Sequence, residues 1–553
     1  MDVAIAAFTT AKVPIVQLND DNYREYEKAV VTSNLLFRFT RPPVVVQPET
    51  AAHVQSVIKQ VKAQKLLLTI RCGGHSYAGF STALEKNNIL VDLRKMNKVR
   101  LNVKEDTITI DAGCQWGEVY RTLINGDHNG FIINGGRCPY VGVGGFILGS
   151  GLGPFTRTFG MGSDTLLEAT LVTADGNLVT VGKSDDPKSD KGRLFWALQG
   201  AGQANFGVVT QMKLKIQHLN SKNGWVVGGR FLWFPGEKDM GTLLPTMNEF
   251  YKVDWPKEMT IDSTWICDLR QKPGGDGVRF TVYYDGSKED YDALIKKHIK
   301  NETVQKQLIK RALPEPSTRF LYETLEEQWF DESKKFFAEN KTYRVFTSFV
   351  FTRKEIDKNV EEITRILKGE METFRALYPE ESVNLDIVWI HTGGHASTVS
   401  KPTETAFFWR EALYHTYVEV LWQDKWMELN MRGFMSRLRK KLRPFSLNKA
   451  AAFLNFPDRD LVQAGYERAY FGDNRQELRR IKEIWDKDNL FKWAQGIQLP
   501  KDAVDDESAD VDPDDARDQT DQIAQDLWDK RNWQHKVVRD IGAAGKKLEA
   551  MGF

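Results

Sequence analysis

The stretch Leu66-Leu67-Leu68-Thr69-Ile70-Arg71-Cys72-Gly73-Gly74-His75-Ser76 decides how this chain is read. Its apolar start is the signature of a buried strand, and two consecutive glycines end that strand in a turn. A glycine pair lets backbone N–H groups come close to a neighbour, and Arg71 adds positive charge of the kind a diphosphate attracts. Upstream, Pro42-Pro43 opens an extended Val44-Val45-Val46 run, and Ala51, Val54, Val57, Ile58 and Val61 fall at helical spacing. Strand, helix and strand therefore precede the turn. Downstream, residues 88–112 alternate apolar and polar positions, a helix is expected near Trp116, and strands are expected over 166–173 and 177–181. This first unit ends near Leu219.

A second glycine block runs Gly135-Gly136-Arg137-Cys138-Pro139-Tyr140-Val141-Gly142-Val143-Gly144-Gly145 and continues through Gly149, Gly151 and Gly153. Glycine at that density puts backbone against something flat or charged. The dinucleotide fingerprint of a Rossmann unit fails in register because position 147 is Ile, and no Gly-Lys-Ser/Thr follows to make a P-loop. A glycine-lined loop against a large non-Rossmann dinucleotide fits better.

Composition narrows the partners. The chain has 553 residues, 41% hydrophobic, with 76 Lys plus Arg against 75 Asp plus Glu. Such balance leaves no electrostatic footprint for nucleic acid or an anionic membrane. The four cysteines, Cys72, Cys114, Cys138 and Cys267, show no paired spacing for zinc or iron–sulfur ligation, so no metal is expected. No stretch approaches the roughly 20 apolar residues that span a bilayer. The N-terminus lacks a basic and then apolar leader pattern, so a cytoplasmic protein is expected, or a secreted one had a leader been removed.

From about 225 to 430, strand patterns at Arg279–Tyr284, Arg344–Phe351, Val383–Ile390 and Tyr414–Trp422 alternate with helical stretches over 288–313 and 355–378. That is an α+β unit, an antiparallel sheet with helices on one face and the other face free to roof a site. Residues 501–521 are acidic and polar, a linker composition, and Ile523, Leu527, Trp533, Val537 and Ile541 then fall near helical spacing.

The two glycine blocks resemble the flavin-attachment motifs of the berberine bridge enzyme-like oxidases of the vanillyl-alcohol oxidase superfamily, in particular intracellular fungal members. The likeness continues at Leu194–Gly200, at Asn205-Phe206-Gly207-Val208-Val209, at Tyr470–Asn474, and at Phe491 with Gln495. It spans about residues 35–500. The resemblance implies an α+β architecture: a bilobal PCMH-type FAD-binding domain with an inserted antiparallel-sheet substrate domain covered by helices. It divides the chain into an N-terminal segment (1–36), a flavin unit (37–220), a substrate unit (221–435), a return to the flavin unit (436–500), and a linker with a tail helix (501–553).

The same resemblance implies FAD bonded covalently twice, to a ring nitrogen of His75 through the flavin 8α carbon and to Cys138 through C6. Imidazole and thiolate are apt nucleophiles for an electron-poor ring. Arg71, Gly73, Gly74, Ser76, Val141, Gly142, Gly144, Gly145, Gly149, Gly207, Val208, Tyr470 and Asn474 are the other residues expected at the cofactor. The implied reaction moves hydride from a small-molecule substrate to flavin and electrons on to dioxygen, giving hydrogen peroxide. Val141, small and three residues after Cys138, goes with oxidase behaviour in that family. The expected assembly is a monomer or homodimer.

The base departs from the family pattern. Sugar-oxidising members use a Tyr in an Asn-Tyr pair, and the matching Asn455 is followed here by Phe456, which has no hydroxyl. On the strand that follows Thr405–Arg410, His415, Tyr417 and Glu419 share one face and Tyr414, Thr416 and Val418 the other. The need for a polar face at the flavin favours Tyr417 and Glu419. Alignment with the family instead favours Thr416, and a one-residue slip separates the two. His391 and His395, flanking Gly393-Gly394, are further candidates. The expected substrate is a hydrophobic or aromatic alcohol or amine. The alternatives are a carbohydrate oxidase with a substitute base, and a flavoprotein that steers a non-redox cyclisation.

Overall fold

The computed structural model describes residues 1–503 except 19–21, 84–86, 236–240, 270–275, 329–341, 380 and 462–464. The tail helix expected after residue 521 lies outside the described residues. Two sheets form the first unit. One is four-stranded, in the order Ile15–Val16, Val45–Val46, Asn88–Asp92, Leu67–Arg71, with the last three strands parallel. The other is five-stranded and antiparallel, in the order Val99–Asn102, Thr107–Asp111, Val208–Lys215, Leu166–Val172, Leu178–Gly182. The helix Ala51–Ala63, capped by the Thr50 side chain on the His53 N–H, buries Val54, Val57, Ile58 and Val61 between them. The N-terminal segment adds to this unit. Ala4 and Phe8 of the helix Asp2–Thr10 join its core, and Ile15–Val16 adds a strand.

The middle of the chain makes one antiparallel sheet of seven strands, in the order Leu313–Pro316, Trp225–Trp233, Gly277–Tyr284, Met259–Asp268, Val383–His391, Ala412–Trp422, Tyr343–Thr352. The long helices pack on one face. The longest, Arg353–Leu377, is capped by the Thr352 side chain and buries Ile356, Val360, Ile363, Leu367, Met371 and Phe374. At about 1.5–3 kcal/mol per fully buried side chain, this apolar stripe outweighs the few tenths that separate helix propensities. The single helix expected over 288–313 is two, Lys288–His298 and Glu302–Arg311. The break occurs because Asn301 turns extended and its side chain caps the second helix on the Val304 N–H.

A boundary near 435 also moves. The helix Glu428–Leu442 packs Met431, Phe434, Met435 and Leu438 against the covered face of the seven-stranded sheet, so the return to the first core begins beyond it, with Ala452 and Leu454. No described helix is long and apolar enough to cross a membrane. Between the uncovered face of the large sheet and the first unit lies a separate cluster that includes Leu152, Phe346, Val388, Ile390, Phe407, Tyr417 and Phe453. The site is at this junction.

Candidate active site

The strand Leu67–Arg71 delivers the Gly73-Gly74 turn to the junction, and Trp116–Asn125 presents the Cys138 loop from behind. Its first N–H groups, on Trp116 and Gly117, donate to the carbonyls of Val141 and Pro139. The two loops meet backbone to backbone at Gly73 and Gly142, where a Cβ on either would collide with main-chain atoms of the other. Gly74 has φ +75°, which disfavours any larger residue. This contact brings His75 Nε2 to 3.6 Å from Cys138 Sγ. Both side chains face a cavity of about 270 Å³.

The floor of that cavity is glycine-rich. Gly145 lines it, and a Cβ there would meet no atom within 4 Å, so the missing side chain leaves open space against the backbone. Gly73, Gly74, Ser76, Val141, Gly142 and Gly207 line it as well. A flat ring system with a dinucleotide tail fits this surface, because backbone rather than side chains would lie against it. The other three cysteines are poor nucleophiles: burial pushes the thiols of Cys72 and Cys267 up to about 12 and raises that of Cys114 further. Among the described residues, no group of three or more His, Cys, Asp or Glu is placed to hold a metal.

Several residues expected at the cofactor do not line this cavity. Arg71 does not line the cavity. The parallel register sets it beside Asp92, and its guanidinium is bound to that carboxylate at 2.7 Å and to the carbonyls of Ala29 and Val31. Gly144 is a packing glycine against Cys72 Sγ and the Ala112 carbonyl, and Gly149 is one against Asn455 and Gln203. Strand alternation turns Val208 into the core and leaves Val209 at the cavity. Tyr470 is buried and bonded to Gln495 and Asp458, and Asn474 donates to the carbonyls of Pro402, Thr405 and Ala406. These two tie the C-terminal return to its surroundings.

The opposite wall is the uncovered sheet face. Ile390 and Tyr417 line it with Phe453, Leu454, Asn455, Phe456 and Pro457. Tyr417 stands with its ring centroid 4.5 Å from Phe456 and 5.9 Å from Phe346. Glu419 shares the face of Tyr417 but lies outside the cavity. It is buried in an ion pair with Arg344 at 2.9 Å, so its carboxylate is already committed. Thr416 points the other way, paired across strands with Phe349 and Trp389 of the helix-covered core. His391 belongs to that covered face as well. It stacks on Tyr414, its Nδ1 accepts from the Ile261 N–H, and burial holds it well below the usual imidazole range. His395 sits in a 3-10 turn outside the cavity.

Two cavity residues, Tyr77 and Gln203, escaped the reading of the sequence, as did the surroundings of His415. Tyr77, two residues beyond His75, lines the wall with its ring centroid 4.9 Å from that imidazole. Gln203 donates to the Gly145 carbonyl at 2.6 Å and to Asn455, cross-linking floor and wall. His415 lies on the face of Tyr417, behind the wall against Phe453 and Phe407, and burial lowers its pKa to about 3. For Tyr77 the signal was local, an aromatic in the same turn as His75. For the others it was contact over long sequence separation, which one sequence does not display.

Comparison with known proteins places this geometry. Residues 42–182, which carry both glycine-rich loops, match an FAD binding domain, and residues 452–498, which carry Phe453–Pro457, match the berberine and berberine-like domain. An uncharacterised FAD-linked oxidoreductase of Bacillus subtilis, YgaK, is 26% identical over 502 residues, covering 87% of this chain and 96% of its own. Berberine bridge enzyme-like 21 of Arabidopsis thaliana is 28% identical over 476 residues, covering 83% of each chain. The berberine bridge enzyme of Eschscholzia californica superposes with a TM-score of 0.74 at 19% identity, covering 90% of this chain and 99% of that one. Both matched domains meet at the cavity that holds His75 and Cys138, and the chain is an FAD-linked oxidoreductase similar to the berberine bridge enzyme-like proteins.

Proposed function

We propose that this protein is an oxidase whose FAD is bonded to both His75 and Cys138, acting on an apolar or aromatic small-molecule alcohol or amine. The observation that carries the proposal is the pair of nucleophiles 3.6 Å apart in one glycine-floored cavity. Bound there, FAD supplies a two-electron acceptor for substrate hydride, with dioxygen as the final oxidant. The remaining work falls to side chains. Ile390, Phe453, Leu454 and Phe456 wall the cavity and exclude water, selecting an apolar or aromatic partner. Tyr417 puts its hydroxyl on that largely apolar wall, placed to accept, as the phenolate, a proton from the substrate O–H or N–H as the C–H is oxidised. The hydride's electron pair and two protons leave on dioxygen as hydrogen peroxide. Val141, at the cavity beside Cys138, is the small residue that leaves dioxygen room to approach.

Anaerobic mixing with a panel of aromatic alcohols and amines tests this. Bleaching of the flavin absorbance, followed by peroxide on admitting air, is the expected result. Bleaching by sugars alone would assign a carbohydrate substrate, and product formed without bleaching would assign a cyclisation.

A further inference from the structure

We propose that Asn34, in the segment ahead of the matched flavin-binding domain, is the positioning residue that holds the His75 turn in register for flavin attachment. The inference rests on the His75 bond proposed above. Asn34 is 1% exposed, and its side-chain amide is used on both ends. One end, Nδ2, donates to the Tyr77 carbonyl at 2.7 Å and to the Arg344 carbonyl at 3.0 Å. The other, Oδ1, accepts from the Arg344 N–H at 3.2 Å and the Leu36 N–H at 3.1 Å.

This is a three-way junction. Tyr343–Thr352 lies at the end of the strand order of the seven-stranded sheet, and the N–H and C=O of Arg344 both bond to the Asn34 amide. The Asn34 amide offers the donor and acceptor pair that a neighbouring strand would, and the Leu35 N–H extends the pairing to the Thr342 carbonyl. The amide's remaining N–H takes hold of the turn two residues beyond His75. The same two residues also meet through their side chains. The Arg344 guanidinium lies 4.3 Å over the Tyr77 ring, with Glu419 fixing the guanidinium from behind, and Phe346 stacks on that ring at 4.8 Å. Tyr77 in turn contacts the His75 imidazole. Asn34 thus fixes the turn that carries the nucleophile relative to the sheet that forms the opposite wall.

Attachment makes strict demands on that geometry. The imidazole N–H and a C–H of the flavin methyl are lost as the N–C bond forms, and two electrons and two protons leave on dioxygen as peroxide. A displacement of about 1 Å at the attacking atom is enough to slow such a step a hundredfold.

The test uses the full chain in a Cys138→Ala background, where His75 is the only point of attachment. The readout is the fraction of FAD released on acid denaturation. In the parent little should be released. Asn34→Asp, which puts an acceptor against two carbonyls, and the milder Asn34→Ser should raise the released fraction at least five-fold, Asn34→Asp the more. Val57→Ala, a cavity in the first core away from the site, should lower the melting temperature without raising release. Retention of FAD by both Asn34 variants at the parental level would overturn the inference while leaving the His75 bond intact. Release rising equally with Val57→Ala would overturn it as well, by reducing Asn34 to general stability. Complete release from the Cys138→Ala parent would instead refute the His75 bond, and the role of Asn34 with it.

Discussion

Tyr417 and Thr416 are neighbours in the chain, yet one meets the cavity and the other the helix-covered core. Alternation along the strand was readable from sequence, but which parity faces the cavity depends on cross-strand partners such as Ile390 and Trp389. Alternation also fails to separate Tyr417 from Glu419, because it says nothing of Arg344, 75 residues earlier on the adjacent strand. The two residues therefore behave differently on substitution. Tyr417→Phe should slow anaerobic flavin reduction by about 10²–10⁴-fold, the usual range for loss of a general base, with little change in stability. Glu419→Gln should lower stability on the order of 3 kcal/mol by leaving Arg344 buried without its counter-ion. Stopped-flow reduction and urea unfolding of the two variants check both halves; equal reduction rates in Tyr417→Phe and the wild type would remove Tyr417 from the chemistry. Arg71 teaches a related lesson. An arginine before two glycines looks like a phosphate ligand until its partner, Asp92, is seen at the end of the parallel strand.

At the scale of elements, the strand Leu67–Arg71 and its glycine turn were legible because their conformation is dictated locally. The break at Asn301 carried a local signal too, an Asn-Glu-Thr capping sequence inside an apolar periodicity that masked it. The attachment of Glu428–Leu442 to the large sheet was not legible, because an amphipathic helix does not name the surface it covers. Strand pairing also sets a pH dependence. Burial opposes the ionisation of Asp92, but Arg71 and Arg94 outweigh it and hold the carboxyl down at about 2. A carboxyl depressed in the folded state stabilises the fold above its unfolded pKa, near 4, and this stabilisation is lost as pH falls toward 2. On the order of 2 kcal/mol should therefore disappear over that window. In Asp92→Asn the urea midpoint should be lower near neutral pH and should fall less between pH 4 and 2; an equally steep fall in the variant would show that other groups control it.

On the scale of the whole molecule, three bodies of packing meet at one cavity: the two-sheet core, the helix-backed sheet, and the segment 452–499 that closes between them. Separated motifs in the right order made the cofactor domain legible, whereas the contribution of residues 1–36 to its core lay outside any motif. Among the described residues, the last buried apolar side chains are Ile497 and Leu499. Truncation after Ala503 should accordingly retain bound flavin and its absorbance spectrum; loss of flavin from the purified truncated protein would place part of the cofactor site in the acidic tail.

The proposed bond between protein and flavin is open to direct measurement. The wild-type protein should be denatured in acid, digested, and its peptides weighed. The expected result is a yellow precipitate with no free FAD in the supernatant, and one flavin joining the peptides that contain His75 and Cys138. Single replacement of either residue by Ala should leave the flavin attached through the other. Quantitative release of unmodified FAD from the wild-type protein would contradict the assignment of His75 and Cys138 as its points of attachment.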